Sequence, residues 1–390
     1  MSIQLQGSTP QFQQEKNACI NQLMIKTKKS GAKYSAIVAV SEELKKQKVA
    51  GKDILFLNRG INAVVNIDLS EIIPLIDFNS ADIQVYPPNK GHLGLRKAIN
   101  TAFFHDAANN ENIFLSNGGM SALDLIFKTI DTKKVWLSSF YWGAYVNALK
   151  INNIDFGFYD NLLFVEQNTE QFKGGTVVIC DPNNPLGNKQ DDDFLLDIIA
   201  KLQKAGIVVI WDSPYRKLFY EWEDDDFYTK LIRFDNVIIS ESFSKSVGLS
   251  GQRIGFVHST NKQFNEELNI KLLYATNGIN GFSQVLVEKL LNTDAGKKAV
   301  SEFKQKTTVD IAKNIQYLID HNILADEFYQ NSKPLGIFVI ANKNYDELLA
   351  KDIGSVPFSY FTTMPDEQAN KYSRICVSVP HNDFVRFFSQ

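Results

Sequence analysis

Four short apolar runs rich in β-branched residues constrain the architecture more than any other feature: "KVWLSS" (134–139), "TVVIC" (176–180), "IVVIW" (207–211) and "NVIIS" (236–240). Each is strand-length and bounded by polar turn residues, the pattern of a strand buried on both faces. Between the second and third lies "DDDFLLDIIAKLQKAG" (191–206), whose apolar positions recur at helical spacing and which closes on Gly206. Strand, helix, strand in repetition implies right-handed crossovers and a mostly parallel sheet with helices on both faces. The expected fold class is α/β.

The ends of the chain read differently. Residues 11–50 are mainly polar helix in pattern, including "SEELKKQKVAG". A long helical pattern runs from about 284 to 330, and two further strands, "LGIFVIA" (335–341) and "SRICVSV" (373–379), follow it. The expected division is a large domain over 46–285 and a smaller α+β domain formed by 286–390 together with 1–45.

Several classes are disfavoured by what the chain contains. With 41 Lys and Arg against 44 Asp and Glu, no basic field exists to attract nucleic acid. Cys19, Cys180 and Cys376 lie far apart, and the five histidines are dispersed, so neither a disulfide framework nor a metal site is expected. The start, "MSIQLQGSTPQFQQEK", lacks a secretory pattern, and no window approaches a membrane span. The expected setting is cytoplasmic. The triplets "DDD" at 191–193 and 224–226 read as solvated helix starts or loops.

In an open parallel sheet, ligands bind beyond the carboxyl ends of the strands. After "TVVIC" comes "DPNNPLG" (181–187), after "IVVIW" comes "DSPY" (212–215), and after "NVIIS" comes "ESFSK" (241–245). Taken alone, these are a turn, a helix cap and a loop lysine. Together they deliver Asn184, Asp212, Tyr215, Ser242, Ser244 and Lys245 toward one rim, a joint placement that chance seldom gives.

At this point the chain resembles a family. "SFSKSVGLSGQRIGF", "DPNNPLG", "WDSPYRKLFYE", "VYPPNKGHLGLRKAI", "NGGMSALDLIF", "FYWGAYVNAL" and "SRICVSV" are similar, in order, to the motifs of class I and II aminotransferases. These are fold type I enzymes dependent on pyridoxal 5′-phosphate, of the aspartate aminotransferase superfamily. The resemblance runs from about residue 33 to 379.

What the resemblance implies can be given residue by residue. Lys245 would form the Schiff base with the cofactor and move the proton at the substrate Cα. Asp212 would pair with the pyridine nitrogen, and Asn184 and Tyr215 would bond the ring oxygen. Gly118, Gly119 and Met120 at a helix start, with Ser242, Ser244 and Arg253, would hold the phosphate. Trp142 would stack on the ring. Arg374 would take the substrate α-carboxylate, with Gly60, Asn184 and Trp142 also facing substrate. Tyr86 and Thr276 would reach the phosphate from a neighbouring subunit, so a homodimer with shared sites is expected.

The expected activity is transfer of the amino group of an L-amino acid to a 2-oxo acid by a ping-pong route. The alternatives are a β-lyase of the cysteine-S-conjugate type, an aminocyclopropane-carboxylate-synthase-like enzyme and, more remotely, a non-catalytic binding module. Asn62, at the pocket wall near the substrate, Phe140 in place of a proline and Leu186 in place of a threonine depart from the family pattern, and Lys271, Tyr34 and Tyr360 are candidates for reading the side chain.

Overall fold

The computed structural model describes residues 26–390. Helix α1 (Ala36–Val49) ends on Ala50, and residues 26–35, expected to be helical, carry no regular structure. The rest of the polar helix expected from residue 11 onward lies outside the described residues.

Seven strands form the central sheet: β1 (Ile113–Ser116), β2 (Val135–Ser138), β3 (Phe156–Tyr159), β4 (Thr176–Cys180), β5 (Val208–Asp212), β6 (Val237–Ser242) and β7 (Gly255–Ser259). Their order across the sheet is β1-β7-β6-β5-β4-β2-β3, and only β7 runs against its neighbours. All four runs singled out in the sequence are strands, and they occupy adjacent places (β2, β4, β5, β6). The strands the sequence reading passed over are the outer ones and the inverted β7. Their sequences, "IFLS", "FGFY" and "GFVHS", carry glycine or polar residues and few β-branched ones, a weaker strand signal than "TVVIC" or "IVVIW".

Helices pack against the sheet and against one another. They are α2 (Leu93–Phe104), α3 (Gly119–Thr129), α4 (Gly143–Ile151), α5 (Asp192–Lys204), α6 (Lys262–Thr276), α7 (Gly281–Asn292) and α8 (Asp294–Asp320). The Asp191 side chain accepts from the Phe194 N–H and caps α5, whose last turn carries Lys201 and Lys204, in accord with the dipole. The expected long helix beyond residue 284 is two helices. Thr293 leaves α7 in an extended conformation and caps α8 by accepting from the Gly296 N–H.

A second sheet contains β8 (Phe338–Ala341), β9 (Val356–Pro357) and β10 (Ser373–Cys376), with β10 central and antiparallel to both neighbours. Helix α9 (His381–Phe388) follows and buries Phe384, Phe387 and Phe388. The two stretches expected as late strands are β8 and β10. Residues Ala32–Gln390 form one compact unit.

One local expectation fails. Asp225, in the second "DDD", is buried rather than solvated. It accepts from Arg216 Nε and Nη2 at 3.0 and 2.6 Å and pairs with the fully buried Lys217 at 3.1 Å. Those cations stand nine and eight residues upstream in "PYRKLF", but nothing in the triplet itself says that they fold back onto it.

Candidate active site

The carboxyl ends of β4, β5 and β6 lie in register, with Cys180 opposite Asp212 and Asp212 opposite Ser240. Asp212 is the last residue of β5 and is buried. Loss of water pushes its carboxyl up to about 6, against the hydrogen bond from Tyr145 that lowers it. The Tyr145 hydroxyl donates to Asp212 Oδ2 from α4. Burial, with the Asp212 charge next, keeps that phenol well above its ordinary range, so it stays a donor.

Beyond β6 the chain makes a single helical turn, Phe243–Ser246, which carries Lys245. Lys245 Nζ donates to the Gly60 carbonyl. Burial brings its ammonium down to about 8; Cys376 opposes this, and the guanidinium groups of Arg253, Arg59 and Arg374 add to it. An amine held there is partly neutral near pH 7 to 8, the state in which it attacks a carbonyl or accepts a proton.

Arg374 arrives from β10 of the other sheet and is 1% exposed. Its Nη1 donates to Asn184 Oδ1 at 3.0 Å and its Nη2 to the Asn58 carbonyl at 2.8 Å. The guanidinium lies 4.0 Å from the centre of the Phe338 ring and 4.3 Å from that of Phe361. Among the described residues its Nε has no partner and none of its contacts is a carboxylate. Burial brings the pKa of its guanidinium down to about 10, opposed by Tyr215 and Cys376. A buried cation paired only with neutral oxygens and ring faces is costly unless an anion joins it. Asn184 completes the chain by donating through Nδ2 to the Tyr215 hydroxyl at 3.2 Å.

Arg253, Ser242 and Ser244 gather at the start of α3. Gly118 takes φ +79° and ψ 175°, and no side chain caps the helix. A Cβ on Gly118 would stand 2.5 Å from Arg253 Nη2, so the glycine lets the guanidinium close on the helix start. The Cβ of Ser242 faces the next glycine, Gly119. Ser242 Oγ donates to Ser244 Oγ at 3.0 Å, and Arg253 Nη1 reaches Ser244 Oγ at 3.4 Å. Met120, the next residue of α3, is partly exposed.

Trp142 precedes α4 and meets the Tyr145 ring edge-on at 5.6 Å. A Cβ on Gly60 would overlap the Phe338 ring, which keeps that backbone close to the second sheet. Tyr86 is 83% exposed and no contact joins it to the Lys245 cluster. The Thr276 hydroxyl donates to the Leu272 carbonyl of its own helix at 3.0 Å. The chain brings these two regions side by side, since Gly278 packs against Pro87, but not to the cluster around Lys245.

Sequence reasoning missed Tyr145, Asn58 and Glu241. The buried Glu241 accepts from the Ser242 N–H at 3.0 Å and from the Tyr228 hydroxyl. Burial raises its carboxyl to about 8. Tyr145 stands three residues after Trp142, a helical spacing that could have flagged it; Asn58 acts through its carbonyl, which no residue type announces. Of the three side chains proposed to read the substrate, Lys271 donates to the Lys128 carbonyl at the end of α3, at 2.7 Å. Tyr34 is exposed and donates to Glu42 at 3.0 Å. The Tyr360 carbonyl lies beside Gly143. Asn62, which departs from the family pattern, braces the wall by donating to Thr307 Oγ1 at 2.6 Å and accepting from Ser378 Oγ at 3.1 Å.

A mostly parallel sheet flanked by helices, with Asp212 and Lys245 at its carboxyl rim and Arg374 brought in from a second sheet, has the fold type I architecture. The family Aminotransferase class I and II matches residues 75–387, and the chain belongs to it. It is a pyridoxal-phosphate-dependent aminotransferase.

Among curated relatives, a histidinol-phosphate aminotransferase of Christiangramia forsetii is 30% identical over 256 residues, 62% of this chain and 69% of that protein. One from Brachyspira hyodysenteriae is 26% identical over 285 residues, 68% of this chain and 77% of that one. The structure of Thermus thermophilus aspartate aminotransferase with maleate superposes with a TM-score of 0.79 at 18% identity, covering 94% of this chain and 98% of that one. At that identity the likeness is one of fold. Among the described residues, no helix is long and apolar enough to cross a membrane.

Proposed function

We propose that the Lys245 site moves the amino group of an L-amino acid to a 2-oxo acid in two half-reactions that share one pocket. The observation that carries this reading is the convergence of Lys245, Asp212 and a carboxylate-free buried Arg374 on one rim. When bound, the cofactor supplies an aldehyde that accepts the amino group and a ring that draws electrons from the substrate Cα.

The residues fit such a group. Gly118, Gly119 and Met120 offer the uncapped N–H groups of α3 to its phosphate, with Ser242, Ser244 and Arg253 as side-chain donors. Asp212 would hold the ring nitrogen protonated, and Tyr145 would keep the carboxylate aimed and charged. Asn184 and Tyr215 would donate to the ring oxygen and Trp142 would cover one ring face. Lys245 would hold the aldehyde carbon and, once displaced, carry the proton at the substrate Cα, work suited to an amine brought down to about 8. Arg374, held by the Asn58 carbonyl, would bind the α-carboxylate of donor and acceptor in turn, with the Gly60 backbone two residues on. Tyr86 and Thr276, on an outer face, would complete the phosphate site of a second copy in a homodimer working in the cytoplasm.

Single-turnover mixing of the holoenzyme with individual amino acids tests the reading. The visible band of the bound cofactor should fall as a stoichiometric 2-oxo acid appears, and Lys245→Ala should abolish turnover. Persistence of turnover in that variant, or appearance of ammonia in place of transferred nitrogen, would refute it.

A further inference from the structure

Arg59 stands between two residues that touch the chemistry. On one side the Asn58 carbonyl accepts from Arg374 Nη2 at 2.8 Å; on the other the Gly60 carbonyl accepts from Lys245 Nζ. Its Cα is therefore about 3.8 Å from the Cα of each residue that anchors an active-site cation. The backbone here is fixed on all sides. Leu57 donates its N–H to the Gly354 carbonyl at 2.8 Å and accepts from the Cys376 N–H at 2.7 Å. The Ile61 N–H closes a tight turn onto the Arg59 carbonyl at 3.0 Å, and Asn62 is tied to Thr307 at 2.6 Å.

On this rigid segment the Arg59 side chain is exposed, and its guanidinium makes no hydrogen bond or ion pair among the described residues. A surface arginine needs no partner, but this one projects from a clamped loop, and its charge is felt at Lys245. In the reading given above, Arg253 is matched by the cofactor phosphate and Arg374 by the substrate α-carboxylate. Of the three guanidiniums that act on Lys245, Arg59 is the one left without an anion among the described residues.

We propose that Arg59 selects amino substrates that carry a second anionic group, a side-chain carboxylate or phosphate, by binding that group at the mouth of the Lys245 site. The planar fork of a guanidinium matches both groups in bidentate geometry, and a pre-fixed backbone spares part of the ordering cost. The inference rests on the Lys245 reading and supplies the side-chain specificity that the reading leaves open. Lys271, the earlier candidate cation, is held at the far end of α3 and takes no part.

Calorimetric titration of the holoenzyme with butyrate, succinate and 3-phosphonopropionate, which differ in the terminal group, tests it without turnover. A charged hydrogen-bonded contact is worth ~10–100-fold in affinity, so one or both dianions should bind tighter than butyrate by about that factor. Arg59→Ala should remove at least ~10-fold of that advantage, and Arg59→Lys, which keeps the charge and loses the fork, should remove less. Preference for succinate assigns a carboxylate substrate, and preference for the phosphonate assigns a phosphate-bearing one. The glutamate-to-glutamine ratio of kcat/KM should fall in the same variants if the carboxylate is the ligand, and the phosphoserine-to-serine ratio if the phosphate is. A wild type indifferent to the second charge, or an unchanged affinity ratio in Arg59→Ala, would overturn the assignment. Failure of every amino acid, alanine included, to change the wild-type visible band would overturn the Lys245 reading instead.

Discussion

Replacing Asp212 by Asn should stabilise the cofactor-free protein as pH rises, although it removes the carboxylate on which the activity is proposed to depend. Burial lifts the Asp212 carboxyl from 3.8 to about 6 in the folded chain. A group whose folded value is raised favours folding while protonated, so this contribution is complete below about pH 4 and is lost as pH rises through about 6. A shift of roughly two units corresponds to ~3 kcal/mol of strain once the carboxylate is fully charged. Asparagine has the same shape, still accepts from the Tyr145 hydroxyl and cannot ionise.

Urea unfolding of both cofactor-free proteins from about pH 5 to about pH 8 should show the variant's advantage growing by ~1.5 kcal/mol, because about half the penalty is already present at the lower end. A difference that is flat with pH, or a variant less stable throughout, would refute the reasoning. In the holoenzyme the sign should reverse, because the buried carboxylate is the proposed partner of a cationic ring nitrogen. Stability and function then pull on one residue in opposite directions.

Two further outcomes follow from the same geometry. Gly118→Ala places a side chain on a backbone at φ +79°, ψ 175° and presses Arg253 out of its seat, so cofactor affinity should fall at least ~10-fold by absorbance titration; unchanged affinity would argue against the proposed phosphate site. Asp225→Ala leaves the fully buried Lys217 and part of Arg216 unpaired and should lower stability by ~3–5 kcal/mol in urea; a loss below about 1 kcal/mol would mean that those cations reach water or another anion.

The amino-acid sequence by itself determined what is local. A strand covered on both faces must be apolar throughout, so β2, β4, β5 and β6 stand out as runs, and the polar residues that end them are readable as a rim. Asp212, Lys245, Asn184 and Tyr215 could be placed at that rim because each lies within a few residues of a strand end. The uncapped start of α3 was partly legible too, through its paired glycines.

Contacts across the chain were decided by tertiary structure. Arg374 meets Asn184 across 190 positions and Asn58 across 316, and neither periodicity nor composition encodes such a pairing. The same holds for Tyr145 against Asp212, where a helix from one crossover inserts a phenol beside the end of another strand. Lys271 and Arg59 show the limit most clearly, because their residue types are equally able to bind an anion. The fold spends one charge on the carbonyl end of a helix and leaves the other open between the two residues that hold Arg374 and Lys245. Charge type is a property of the residue, but what a charge faces depends on which distant segments pack around it.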